Sequence, residues 1–119
     1  MDAQIVGEPT GEQLDAATAT LKLLADRTRL HLVWALLHGE HSVNELAAHV
    51  GVAAPAVSQH LAKLRLAQLV STRREGNRIF YSAMNGHVLR LVTEALFHAD
   101  HLTSTGRPAH HRGVGELAS

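Results

Sequence analysis

Ten of the 119 residues are histidine and none is cysteine, so any coordination chemistry here rests on imidazole and carboxylate. Candidate donors crowd the C-terminal third: His87, His98, Asp100, His101, His110 and His111. At about 100° per residue, His98 falls about 20° and His101 about 40° from His87 in helical projection, so the three share a stripe with Glu94. His87 and His98 are nevertheless about 16 Å apart along a helix axis, far beyond the separation of two ligands of one ion. One helix cannot close that site. Two such helices packed antiparallel about a two-fold axis can bring His87 of one chain near His98, Asp100 or His101 of the other. Imidazoles with a carboxylate and no thiolate suit Ni(II) or Co(II) better than a tetrahedral thiolate metal, and Zn(II) is also accommodated. The competing reading is an exposed polar helix face, with His98 and His101 favoured near a C-terminus by the helix dipole.

A second set of residues is cationic. Eleven Lys and Arg balance eleven Asp and Glu, but residues 53–80 hold Lys63, Arg65, Arg73, Arg74 and Arg78 against the single anion Glu75. A local basic stripe on a neutral chain is what a phosphate-facing surface needs. Just before it stand Ser58, Gln59 and His60, side chains able to reach base edges from a helix in the major groove, while the five cations hold phosphates. His60 reads as a DNA contact rather than a ligand. His31, His38, His41 and His49 read as surface or cap residues, with an accessory metal site as the alternative. His38-Gly39-Glu40-His41 lacks the spacing and the continuous helix of a zinc-protease motif. No nucleophile elbow or phosphate-cradling glycine loop occurs, so the chain is expected not to be an enzyme.

These residues need elements to position them. An apolar fraction of 45% with 18% charged residues describes one globular domain. Leu14, Ala17, Leu21, Leu24 and Ala25 predict a helix over 13–25 with one buried face. Asp26 caps a second over 27–38, with Leu30, Val33, Trp34 and Leu37 on one stripe and Trp34 as a core anchor. Ser42 and Glu45 form a capping-box pattern opening a short helix over 43–50, closed by Gly51. Pro55 begins another, reaching about residue 67, anchored by Val57, Leu61, Leu64 and Leu66. That pair makes a helix-turn-helix. The runs 69–73 and 78–82 are β-prone, and Glu75-Gly76-Asn77 suits the tip of a hairpin, which makes a basic wing. A last helix runs from residue 86 or 87 to 102. The expected architecture is mainly α with a small β-hairpin, a winged helix-turn-helix over 13–102, with a flexible arm at 1–12 and a flexible histidine-bearing tail at 103–119. With no long apolar run and an acidic, polar start, the chain is expected to be soluble and cytoplasmic, with no membrane partner.

Four separated motifs carry a family resemblance: Leu24-Ala25-Asp26-Arg27-Thr28-Arg29-Leu30, Ser42-Val43-Asn44-Glu45-Leu46-Ala47, Val57-Ser58-Gln59-His60-Leu61-Ala62-Lys63-Leu64-Arg65, and Leu69-Val70 with Arg73-Arg74-Glu75-Gly76. In this order, over residues 14–102, they resemble the ArsR/SmtB family of bacterial winged-helix regulators. The resemblance implies a homodimer paired through its first and last helices, bound to palindromic double-stranded operator DNA as a repressor that a metal ion releases. Asn85-x-His87 and His98-x-x-His101 keep the family's last-helix spacing, with Asn85 where an Asp is usual. A nickel- and cobalt-sensing branch is more similar still, its ligand pattern falling on His87, Asp100, His101, His110 and His111, with a tail spacing one residue longer here. The family's cysteine site is absent, since Glu45-Leu46-Ala47-Ala48-His49 holds no thiol. The implied function is a metal-responsive transcriptional repressor whose operator affinity falls when Ni(II) or Co(II) binds between subunits. Three alternatives stay open: metal as corepressor or activator, sensing by an accessory partner protein, and a histidine-rich metal buffer or small metallohydrolase without an operator.

Overall fold

Three short polar residues, Thr10, Asp26 and Ser42, stand in extended conformation and accept a hydrogen bond from a first-turn amide, and each starts a helix. The computed structural model describes residues 7–104. Its elements are α1 (Gly11–Leu24), α2 (Arg27–Ala35) continued by a 3-10 turn (Leu36–His38), α3 (Val43–Val50), α4 (Ala54–Leu66), β1 (Val70–Glu75), β2 (Arg78–Ala83) and α5 (Gly86–Ser104). Most of the expected arm and tail, including His110 and His111, lies outside the described residues. No described helix is long and apolar enough to cross a membrane.

The caps explain where observed boundaries differ from expected ones. Helix α1 starts two residues earlier than its apolar period because Thr10 Oγ1 accepts from Gln13 N–H at 3.0 Å while Gln13 Oε1 accepts from Thr10 N–H at 2.9 Å. Ser42 and Glu45 close the expected box in the same way, at 3.2 and 2.9 Å. Asn85 Oδ1 accepts from the His87 and Val88 amides and thereby starts α5. At the other end α5 runs two residues past expectation.

The core is drawn from α2 and its 3-10 turn, α3, α4, β1 and α5, with Leu24 at the end of α1, and Tyr81 of β2 packs against it. Leu32, Val33, Leu46, Val57, Leu61, Leu64, Val70 and Val92 are all fully buried. Val57, Leu61 and Leu64 hold i, i+4 and i+7 on α4, so they share a face; Leu66 lies about 180° from Val57 and is 88% exposed, which corrects its expected role as an anchor. Trp34 is half-buried at the core edge, its indole stacked on His49 at 5.8 Å and edge-on to His38 at 5.0 Å. On α1 only Leu24 is buried, and Leu14 and Leu21 of the expected buried face are about half exposed within one chain.

The exit from α4 uses a left-handed residue other than glycine. Gln68 has φ +63°, and Gln68 N–H to Arg65 O (2.9 Å) with Leu69 N–H to Leu64 O (2.9 Å) makes a Schellman closure in which buried Leu64 and Leu69 meet. The chain then enters an antiparallel hairpin in the register Arg73↔Phe80, Arg74↔Ile79 and Glu75↔Arg78. Its two-residue turn places only Gly76, at φ +63°, in the left-handed region. Paired backbone bonds between His41 and Tyr81, at 3.1 and 2.8 Å, pin the wing to the loop before α3.

Candidate nucleic-acid interface and metal donors

Burying Val57, Leu61 and Leu64 leaves Ser58, Gln59, Lys63 and Arg65 exposed on α4, as their spacing predicts. His60 differs. It is half-buried, and its Nδ1 stands 3.1 Å from Nη1 of Arg29 on α2. The Arg29 side chain, 14% exposed, also donates from Nε to the Leu23 carbonyl at 2.7 Å and faces Asp26 Oδ2 at 3.8 Å. The Asp26 carboxyl is held below its ordinary value, first by the Arg29 amide and then by the Arg29 guanidinium, with burial opposing both. Sequence reasoning gave Asp26 a cap and Arg29 no role. A contact 31 residues apart has no local signature.

On the wing, Arg73 and Arg78 both place their guanidinium groups 4.9 Å from the centre of the Phe80 ring. Arg73 grips Glu40 with Nε (2.9 and 3.0 Å) and Nη2 (2.9 Å) and reaches Glu75 at 3.4 Å; Arg78 lies 3.8 Å from Glu45. The Glu40 carboxyl is lowered chiefly by its Arg73 hydrogen bond, that of Glu45 chiefly by the Ser42 amide and then by Arg78 and His41. Arg74, Lys63 and Arg65 make no ion pair among the described residues. These pairs are solvent-exposed, and such pairs contribute about 0–1 kcal/mol, so phosphate can displace the carboxylates at little cost.

Helix α5 turns Val88 and Val92 into the core, with Leu96 packed against it. In projection the stripe of His87, Glu94, His98 and His101 lies opposite that buried side, and His87, His98 and His101 are exposed. Asp100, also exposed, falls about 140° from His87, and Ser104 Oγ lies 3.4 Å from its Oδ1. Asn85 is engaged as a cap by its side-chain oxygen. Among the described residues no three His, Asp or Glu side chains come together as a site. Donor types on the open face of α5 fit a divalent ion liganded by nitrogen and oxygen. Their spacing does not close a site within one α5.

Partly exposed Leu91, Phe97 and Leu102 flank this stripe. The other histidines go elsewhere. His31 lies 5.6 Å from His49 and 6.0 Å from Trp34, ring centre to ring centre, and burial, then the neighbouring positive His49 and Arg27, lowers its pKa.

Comparison with known proteins follows the same outline. The model for bacterial regulatory proteins of the arsR family matches residues 26–72, from the Asp26 cap into β1. The HTH-type transcriptional regulator KmtR of Mycobacterium tuberculosis is 51% identical over 108 residues, 91% of this chain and 82% of KmtR. Among solved structures, the antimony-specific transcriptional repressor AntR matches with a TM-score of 0.77 at 31% identity, covering 87% of this chain and 94% of AntR. A homodimeric winged helix-turn-helix DNA-binding domain from Mycobacterium bovis matches with a TM-score of 0.74 at 29% identity, over 92% of this chain and 100% of that one.

Proposed function

The chain belongs to the arsR family of bacterial regulatory proteins, and from that premise we propose that it is a cytoplasmic homodimeric repressor that Ni(II) or Co(II) releases from its operator. The observation that carries the metal half is the histidine stripe of α5, held on the face opposite the core by Val88 and Val92.

The dimer forms through α1 and α5, whose uncovered Leu14, Leu21, Leu91, Phe97 and Leu102 need a partner surface. Helix α4 of each protomer enters the major groove, where Ser58, Gln59 and His60 read base edges and Lys63, Arg65, Arg73, Arg74 and Arg78 hold phosphates. Two-fold symmetry then calls for a palindromic site with half-sites about 10 base pairs, or a multiple of that, apart. His87, His98, Asp100 and His101 of α5 hold the effector between subunits, joined by His110 and His111 of the tail. A bound Ni(II) or Co(II) ion would supply a cross-link between the two α5 helices. Helix α5 packs on α2 and β2, the elements that carry Arg29 and the wing, so a change in α5 packing bears on the DNA-reading face. The coupling is reciprocal and of ordinary size, ~1 to 3 kcal/mol.

Calorimetric nickel titration of the purified dimer tests the site. Stoichiometric binding lost in His87→Ala and His101→Ala is the expected result. Weak, non-stoichiometric uptake beside intact operator binding would give sensing to a partner protein instead. Tight uptake by a protein that protects no DNA would make it a metal buffer.

A further inference from the structure

The contact between Arg29 and His60 constrains chemistry on the reading face. A guanidinium has donors and no acceptor, so a hydrogen bond between Arg29 Nη1 and His60 Nδ1, 3.1 Å apart, requires a bare Nδ1. The neutral ring then carries its proton on Nε2. The two nitrogens of an imidazole diverge, which turns Nε2–H away from Arg29.

Resting on the DNA-binding reading above, we infer that Arg29 is a positioning residue for sequence recognition: it locks His60 into the tautomer that offers the operator a hydrogen-bond donor. Such a donor pairs with N7 or O6 of guanine, N7 of adenine or O4 of thymine, and is mismatched to the amino groups of cytosine and adenine. His60 thus selects acceptors, a preference that its residue type alone does not confer.

Arg29 is built to hold this position. Its Nε bond to the Leu23 carbonyl ties it to the last turn of α1, Asp26 receives its charge, and its backbone N–H completes the α2 cap. Largely buried and held by three groups, it is not free to reach for phosphate. The charged groups facing His60 are Arg29 and Asp26. A doubly protonated ring would forfeit the Arg29 bond and place two cations side by side.

The test compares operator affinity across all single-base-pair variants for the full-length wild type, Arg29→Met, His60→Asn and the double variant. His60→Asn should cut discrimination at one base pair per half-site by roughly five- to tenfold, the worth of one hydrogen bond. Arg29→Met should lose a similar factor at the same base pair, and the double variant no more than either alone, because Arg29 acts through His60. The salt slope should not move. Additive losses, losses at other base pairs, or a slope reduced by about one would each overturn the inference, the last because it would put Arg29 on a phosphate.

Should Arg29→Met fail to fold, long-range nitrogen–proton NMR of the unaltered protein reads the tautomer directly, with the His60 signals assigned by their loss in His60→Asn. A protonated Nε2 and bare Nδ1 are expected, and a proton on Nδ1 overturns the inference. Failure of the wild type to bind any duplex would remove the DNA-binding reading and this role together. Normal binding with base preference untouched by Arg29→Met removes the Arg29 role alone.

Discussion

Arg73 and Arg74 are adjacent in the chain but alternate across the wing, and their electrostatic states differ accordingly. Arg73 is already paired with Glu40 and Glu75, whereas Arg74 makes no ion pair among the described residues. Arg74→Ala should therefore weaken binding to every DNA sequence and lower the salt slope by about one, with Arg73→Ala lowering it less, in affinities measured across salt concentrations. His31 supplies a pH prediction. Burial depresses its pKa below the usual value of 6.5, so the folded state resists protonation that the unfolded chain accepts. Stability is accordingly unaffected well above 6.5 and is lost as pH falls from there through the folded pKa. Asp26, Glu40 and Glu45, also lowered, lose their contributions only in the more acidic range below ordinary carboxylate values. Melting temperatures between pH 8 and 5 should fall for the wild type and fall less for His31→Gln. The sequence exposes the i, i+3 spacing of His31 and Trp34, but the ring that presses on both, His49, arrives from another helix.

Helix ends were the most legible features because their chemistry is local. Ser42 with Glu45, Asp26 and Gly51 all act as their types predict. Thr10 and Gln13 carry the same signature, obscured by Pro9 and Gly11, which suggest an arm. Ser42→Ala should cost about 1 kcal/mol in denaturant unfolding, the usual worth of such a cap. The left-handed turn at Gln68 was illegible, since the need for it comes from reversing α4 into β1 against a core that buries Leu64 and Leu69. Gln68→Gly should raise stability by up to about 1 kcal/mol, as glycine adopts that conformation without strain. Leu66 misled for a related reason. Apolar type suggests a core position, and helical phase, about half a turn from Val57, excludes it.

At the scale of the whole molecule, what one chain leaves uncovered matters most. The apolar period of α1 reads as a buried face, and in the protomer Leu14 and Leu21 stay about half exposed. The periodicity was readable; in the proposed homodimer its partner is another copy. Leu21→Glu or Phe97→Glu should yield monomers in sedimentation and reduce operator affinity, since a single protomer can contact only one half-site. The histidine stripe is of the same kind: projection placed His87, His98 and His101 on one face, while a closed donor set lies beyond what a single α5 can assemble. The most direct measurement is fluorescence anisotropy of an operator fragment with the dimer, with and without Ni(II), Co(II) and Zn(II). Ni(II) or Co(II) should lower operator affinity about 5- to 150-fold, and His87→Ala should abolish that response while sparing metal-free binding. An affinity indifferent to all three ions, or a full response retained by His87→Ala, would contradict an effector site shared between the α5 helices.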